Sequence, residues 1–245
     1  MSDWPILPPE HDRPPAGTAR CWRIVCREIG DAVRDRLAAI LSEEERGRAG
    51  RFVRDSDRLS FTAAHGGLRL LLAASLNREP RQFTFVQNAY GKPALPDRND
   101  LHFNMSHSGG IVLIALASIE IGADVEKIRP LPDRDEIVRR FLHPGEAADM
   151  AGVGDGEAQH MFFRCWSRKE AVVKALGRGM SLDLNKYRVA ARLDAAPALL
   201  ELDGEADPAA WSVIDLDRPG PDHVGAIAAR AKPLGVSCRT LALGA

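Results

Sequence analysis

Trp166–Leu176 reads WSRKEAVVKAL, and this stretch decides how the rest of the chain is interpreted. Trp166, Glu170 and Lys174 are spaced four residues apart, so they share one face of a predicted helix over 157–177. A Glu–Lys pair at this spacing is common on exposed helices, which it stabilises by about 0.2–0.5 kcal/mol. The alternative is a functional pair on a helix that Trp166 anchors in the core. Choosing between them requires a second acidic site elsewhere in the chain.

That second site is predicted in a strand within residues 119–128, which read IEIGADVEKI. Asp124 and Glu126 share one face because side chains alternate along a strand, and their Cα atoms would lie roughly 6.6–7 Å apart. Two carboxylates at this spacing can bind one divalent cation, although solvent-facing strand residues show the same pattern. Gly122 lies on the same face, where we expect it to leave room for something to approach.

Composition limits the classes of function. Lys and Arg total 33 against 34 for Asp and Glu, so the near-neutral chain is not predicted to bind nucleic acid. No apolar run approaches the roughly 20 residues of a membrane span, and residues 1–17 do not resemble a secretory signal. The four cysteines form no disulfide or zinc pattern. We therefore expect a cytoplasmic protein without a membrane partner.

Several basic and polar side chains are candidates for binding an anionic ligand. The arginines of residues 46–58 form either a solvated face or a phosphate-binding patch, for which the guanidinium geometry is suited. Lys169, next to Glu170, is expected to be solvated. The candidates taken from the arginine segment, the Gly-Lys-Pro turn and the NMSHS segment are Arg46, Arg48, Arg51, Lys92, Ser106 and His107.

The order of predicted elements indicates an α+β protein made of two similar halves. A capping box at Ser42 and Glu45 starts a first helical region, and a longer helix follows it to about residue 76. Strands are predicted at 20–30 and 81–86, and as a hairpin over 101–118. Helices at 133–150 and 157–177 and three further strands follow. We predict a proline-rich flexible arm over 1–17, an N-terminal half over 18–117 and a C-terminal half over 118–245.

Four motifs, taken together and in order, resemble the Sfp-type 4′-phosphopantetheinyl transferases of the holo-acyl-carrier-protein synthase superfamily. The resemblance covers roughly residues 40–180. The motifs are YGKP (90–93), NMSHSG (104–109), IGADVE (121–126) and WSRKEAVVKALG (166–177).

The resemblance implies a fold of two α/β halves in a pseudo-twofold arrangement, with the active site in the cleft between them. Such a monomeric enzyme moves the phosphopantetheine group of coenzyme A to a serine of an acyl or peptidyl carrier protein. It implies Mg²⁺, or Mn²⁺, bound by Asp124, Glu126 and Glu170. Glu170 would also deprotonate the serine, and Lys174 would face the pyrophosphate.

The resemblance also implies a binding role for each anion-binding candidate. The N-terminal half would bind coenzyme A, with His107 near its 3′-phosphate. The residues implied to contact this co-substrate are Arg46, Arg48, Arg51, Lys92, Ser106, His107, Asp124, Glu170 and Lys174.

Two other functions fit parts of the same pattern. A magnesium-dependent phosphohydrolase that cleaves coenzyme A or a nucleotide would share the metal and the basic patch. A non-catalytic module that docks carrier proteins would have no need for Glu170 and Lys174. Dependence of nucleotide release on an apo-carrier protein distinguishes the transferase from both.

Overall fold

The computed structural model describes residues 6–96, 100–204 and 207–244. The described part contains helices and strands in an α+β arrangement, as predicted. The helices are α1 (Asp31–Ile40), α2 (Glu43–Gly50), α3 (Asp55–Leu76), α4 (Arg134–Phe141), α5 (Pro144–Met150) and α6 (Asp155–Leu176). The strands are β1 (Ile6–Leu7), β2 (Thr18–Val25), β3 (Val86–Gln87), β4 (Pro93–Ala94), β5 (His102–Ser108), β6 (Ile111–Ala117), β7 (Ile121–Lys127), β8 (Tyr187–Val189), β9 (Leu199–Leu202), β10 (Ser212–Asp215), β11 (His223–Ala229) and β12 (Gly235–Leu241).

The chain forms two compact units, each described here by itself. Unit 1 contains residues 1–86, 94–119 and 235–245, and unit 2 contains residues 87–93 and 120–234. The predicted pseudo-twofold arrangement and the predicted cleft concern both units together, and they stay predictions. So do the domain boundaries predicted from the sequence.

Unit 1 is built on a five-stranded sheet in the order β1-β12-β2-β6-β5. Its hairpin β5–β6 turns at Gly109 and Gly110, both at positive φ, and confirms the predicted hairpin. The strand β12 was not predicted, yet it pairs in parallel with both β1 and β2. The long helix α3 packs on the sheet through an apolar face that includes Leu68 and Leu72, against Trp22.

The N-terminal arm makes contacts within unit 1, and its residues 1–5 lie outside the described ranges. Ile6 and Leu7 pair with β12. Glu10 forms ion pairs with Arg20 and Arg239. The flexibility predicted for residues 1–17 is untested and stays a prediction.

Unit 2 holds a three-stranded antiparallel sheet in the order β10-β11-β7, covered by α6. The apolar face of α6 contributes Phe162, Val172 and Val173 to the core of this unit. The helix ends at Gly177, whose φ of 65° is the left-handed conformation of a helix C-cap.

Two predicted elements are wrong in extent, each for a local reason. The helix predicted over 133–150 is split into α4 and α5, because Pro144 cannot continue a helix and begins a new one. Of the strand predicted over 81–86 only Val86 lies in a strand, because a 3₁₀ turn, Pro80–Gln82, that Pro80 starts takes its first two residues and residues 83–85 have no regular structure. The helix start at Ser42 and the longer helix that follows it are confirmed as α2, which ends at Gly50, and α3, which begins at Asp55.

The sequence expectation that no segment could cross a membrane is too strict for α3. It is the one helix within the described ranges whose length and hydropathy would allow a span. However, 61% of its most apolar window is buried in unit 1, as expected for a core helix, so the finding is weak support for a membrane segment.

A buried carboxylate ties α2 to α3 and predicts how unit 1 responds to acid. Burial alone would raise the pKa of Glu45, but hydrogen bonds from His65, Arg69 and the Ser42 backbone outweigh it and lower this pKa to about 2. Arg69 Nε lies 2.8 Å from Glu45 Oε2, and both side chains are buried. The ionised carboxylate is therefore favoured in the folded state.

We expect unit 1 to lose stability as the pH falls from about 4.5 towards 2, because protonation then removes a charge that only the folded state stabilises. Glu45→Gln should abolish most of this dependence while lowering stability at pH 7. Urea unfolding at pH 7, 5 and 3 measures both effects. The matched control is Glu44→Gln, on an exposed neighbour. If the free energy of unfolding depends equally on pH in the wild type and in Glu45→Gln, the role assigned to Glu45 is wrong.

Candidate active site

The candidate site begins with an unusually close contact between α6 and β7. A Cβ on Gly122 would lie 1.9 Å from the Ala171 carbonyl oxygen and 2.4 Å from the Ala175 nitrogen. The expectation that Gly122 leaves room for something to approach is confirmed, and what approaches is the backbone of α6. This contact brings the face of α6 that carries Glu170 and Lys174 against the strand.

The acidic strand and the helix then meet through their charged side chains. Lys174 Nζ donates to Asp124 Oδ1 at 2.6 Å, and Ser167 Oγ donates to the Asp124 carbonyl at 3.3 Å. Only 4% of the Asp124 side chain is exposed, against 26% of Lys174, so this pair is open to solvent from the lysine side. The Glu170–Lys174 pair is not an isolated surface feature, since Lys174 contacts the predicted second acidic site.

The charges of Lys174 and Asp124 also act on the carboxyl group of Glu170. Burial raises the pKa of its carboxyl above the ordinary value, the Lys174 ammonium lowers it, and the negative charge of Asp124 raises it again. The two carboxylates therefore repel each other across a partly dehydrated space. A cation placed there would relieve this repulsion.

The three predicted metal ligands are Asp124 and Glu126 on β7 and Glu170 on α6. Within residues 6–96, 100–204 and 207–244, no three acidic, histidine or cysteine side chains lie close enough to form a preformed metal site. Lys174 instead lies against Asp124 and neutralises it. The donor chemistry fits a hard cation such as Mg²⁺, which prefers carboxylate oxygens and keeps several waters.

The predictions for Trp166 and Lys169, which lie near Glu170 on α6, have opposite outcomes. Trp166 is half-buried, packs on the core of unit 2 and lies 5.6 Å from the Phe162 ring, which confirms its anchoring role. Lys169 is not solvated as predicted. Its side chain is fully buried and pairs with Glu146, because the residue preceding Glu170 points about 100° around the helix into the interior.

Lys92 is held inside unit 2 by the turn that carries it. Its ammonium pairs with Glu120 and donates to the carbonyls of Ile121 and Ala175 at 3.2 and 3.3 Å. Asn88 in the same turn donates to the Gly177 carbonyl at 2.8 Å. The turn is thus fixed to the start of β7 and the end of α6.

The remaining predicted ligands of coenzyme A belong to unit 1. Arg46, Arg48 and Arg51 are exposed, and the Arg48 guanidinium lies 5.4 Å over the Phe61 ring. Ser106 and His107 are neighbours on β5 and point to opposite faces of the sheet. It stays a prediction that a single coenzyme A molecule contacts all of these residues and Lys92.

Sequence reasoning missed the buried ion pairs that surround the site in unit 2. Arg168 binds Asp215 with two nitrogens, at 2.7 and 2.6 Å, and Arg164 binds the same carboxylate at 2.7 Å. Glu146 pairs with Lys169 at 2.7 Å. The run of three charged residues at 168–170 could have indicated these pairs. A helix that packs on a sheet cannot expose three successive side chains, so at least one charged residue of the run must be buried.

In this geometry, carboxylates and a lysine from a strand and a helix converge at one partly buried, charged centre. Comparisons with known proteins specify the family. Residues 120–228 match the family model of the 4′-phosphopantetheinyl transferase superfamily. Residues 31–119 match a model described as 4′-phosphopantetheinyl transferase, N-terminal.

Two curated relatives agree with these models. The chain is 39% identical over 193 residues to the 4′-phosphopantetheinyl transferase HetI of Nostoc sp., which covers 74% of this chain and 81% of the relative. It is 32% identical over 163 residues to the 4′-phosphopantetheinyl transferase Sfp of Bacillus subtilis, covering 66% and 72%. The chain belongs to the 4′-phosphopantetheinyl transferase family, which uses coenzyme A and acts on carrier proteins.

Proposed function

We propose that this chain is a Mg²⁺-dependent, monomeric, cytoplasmic transferase that moves 4′-phosphopantetheine from coenzyme A to a serine of an acyl or peptidyl carrier protein. The observation that supports the proposal most is the meeting of Asp124, Glu170 and Lys174 at the contact between β7 and α6. Family membership supplies the reaction, and this contact supplies the residues that would perform it.

Asp124, Glu126 and Glu170 would hold Mg²⁺, or Mn²⁺. When bound, this ion would act as a Lewis acid and neutralise the negative charge of the coenzyme A pyrophosphate. Phosphoryl transfer depends mainly on positioning and charge stabilisation, so the side chains need only be held in place.

Glu170 and Lys174, both on α6, would provide the acid–base catalysis and the electrostatic stabilisation. Glu170 would accept the proton of the carrier serine, a role favoured by a pKa that burial raises above its ordinary value. Lys174 would stay protonated and face the pyrophosphate, where its charge stabilises the departing adenosine 3′,5′-bisphosphate. Its bond to Asp124 shows that its ammonium reaches the acidic strand.

The test is transfer to several apo-carrier proteins in the presence of coenzyme A and Mg²⁺, followed by mass spectrometry of the carriers. We expect carrier mass to increase by one phosphopantetheine, and nucleotide to appear only when carrier is present. Asp124→Ala should give no product. Nucleotide release without carrier would identify a phosphohydrolase, and carrier binding without mass change would identify a docking module.

Lys92 provides a separate prediction about coenzyme A. We expect Lys92→Ala to raise the KM for coenzyme A about tenfold and to change kcat less, because an ammonium facing a phosphate contributes mainly to binding. Steady-state kinetics at saturating carrier measures both constants. The matched control is Glu120→Ala, which removes the exposed partner of Lys92 but keeps its charge. If both variants raise KM equally, Lys92 acts only by fixing its turn.

A further inference from the structure

Unit 2 contains a charge pair that is completely removed from water. The side chains of Lys169 on α6 and Glu146 on α5 are each 0% exposed, and Lys169 Nζ lies 2.7 Å from Glu146 Oε1. Neither residue belongs to the proposed metal or coenzyme A site. Two full charges are costly to bury, so an interior pair of this kind needs an explanation beyond stability.

The pair is embedded in a set of hydrogen bonds to the backbone. Lys169 Nζ also donates to the Tyr187 carbonyl at 2.6 Å and lies 4.1 Å from the centre of the Tyr187 ring. Glu146 accepts from the backbone nitrogens of Val189 at 2.7 Å and His143 at 2.9 Å. Together they join α6 to β8 and to the start of α5.

Tyr187 returns a contact to the helix itself. Its hydroxyl donates to the backbone carbonyl of Lys169 at 3.0 Å, so the side chain and the backbone of one helical residue are both bound to β8. The negative charge of Glu170 is close enough to Tyr187 to raise the pKa of its hydroxyl further, in addition to the effect of burial. The network therefore lies next to the proposed base.

Two successive residues hold α6 from two directions, and the third residue is the proposed base. Side chains of neighbouring helical residues point about 100° apart. Arg168 binds Asp215 on β10, and Lys169 binds Glu146 and Tyr187. Glu170 follows on the side of Asp124. With its backbone against Gly122, the helix has little freedom to rotate about its axis.

We propose that the buried Lys169–Glu146 pair, with Tyr187, is a positioning element that fixes the rotation of α6 and thereby the placement of Glu170 and Lys174 for phosphopantetheine transfer. The inference rests on the proposed function. None of the three residues touches substrate in this account. They act through the two helix residues that do.

A small displacement of a side chain on α6 is expected to have a large effect on the reaction rate. Helical side chains reach about 5–6 Å from the helix axis, so a rotation of about 10° displaces a carboxylate by about 1 Å. A misplacement of this size can lower a reaction rate about 100-fold. Apolar residues would pack the same space at no greater cost, but they would not fix the angle through directed bonds.

The test is the double variant Lys169→Met with Glu146→Gln, which removes both buried charges and keeps the volume and the acceptor for Val189, although it loses the acceptor for the His143 nitrogen. We expect kcat for transfer to a carrier to fall 10–100-fold, with the KM for coenzyme A within about threefold of wild type. The melting temperature should stay within about 5 °C. The Mg²⁺ concentration for half-maximal activity should rise.

A control separates positioning from general loss of stability. Leu72→Ala opens a cavity in the core of unit 1, away from this network, and should lower the melting temperature at least as much without lowering kcat. Wild-type kcat in the double variant overturns the inference. An inactive wild type overturns the proposed function instead, so the two failures are distinguishable.

A second variant decides the case if the double variant does not fold. Tyr187→Phe keeps the ring and removes only the hydroxyl bond to the Lys169 carbonyl, which retains its partner within the helix. We expect kcat to fall three- to tenfold with an unchanged KM for coenzyme A. An unchanged kcat in this variant overturns the proposal.

Discussion

Replacing Glu170 with Gln is expected to lower kcat about 10³-fold while leaving the metal-free protein at least as stable as wild type. Gln has nearly the same shape but cannot accept the serine proton and is a poorer ligand for a cation. Activity and stability should therefore change in opposite directions. Few substitutions at structural positions do this.

The stability effect follows from the sign of the pKa shift. The pKa of Glu170 is raised in the folded protein, first by burial, so the folded state binds a proton more tightly than the unfolded state. Wild-type stability is then lost as the pH rises from the unfolded pKa of about 4.3 through the folded one. Glu170→Gln lacks that loss and should unfold at an equal or higher temperature at pH 7.5.

The measurements are nucleotide release with apo-carrier and thermal unfolding in chelator-treated buffer. Glu157→Gln is the matched control, since it lies on the same helix but is exposed. It should retain wild-type activity and melting temperature. A Glu170→Gln variant with more than a tenth of wild-type kcat would rule out Glu170 as the base.

Gly122→Ala is expected to lower the free energy of unfolding by about 3 kcal/mol or more and to remove activity. The added methyl would lie 1.9 Å from the Ala171 oxygen and 2.4 Å from the Ala175 nitrogen. Both are backbone atoms, so no side chain can rotate away and the helix must separate from the strand. Overpacking typically costs about 1–3 kcal/mol even where side chains can adjust.

A glycine on α6, the helix that Gly122 contacts, provides the control for this substitution. A Cβ on Gly156 would meet nothing within 4 Å, so Gly156→Ala should be neutral or stabilise the protein by up to about 1 kcal/mol. Urea unfolding and kcat should be measured for both variants. If Gly122→Ala unfolds within 0.5 kcal/mol of wild type, on the order of a neutral surface change, the contact is not as close as described.

Much of the fold was predictable because its signals are local. The capping box of Ser42 and Glu45 starts α2 as expected, and both partners make their reciprocal bonds. The periodicity around Trp166 gave α6 to within two residues at its start. These elements depend on contacts between residues three or four positions apart, which a sequence displays directly.

What could not be predicted depends on contacts between distant segments. A close approach at Gly122 was predicted, but nothing nearby in sequence shows that α6 is the element that lies on it. Lys169 was taken for a surface residue because Glu146 is 23 positions away. The strand β12 reads GVSCRTL, with Arg239 interrupting its apolar residues, and only its pairing with β2 identifies it.

The place of β12 in the sheet has a consequence for biosynthesis. This strand lies between β1 and β2, yet it is translated after all of unit 2. Residues 87–234 therefore leave the ribosome while β2 still has a bare edge, which can recruit strands from other molecules. The unit that is translated first is completed last, and nascent chains halted before residue 235 should be the ones that need chaperones.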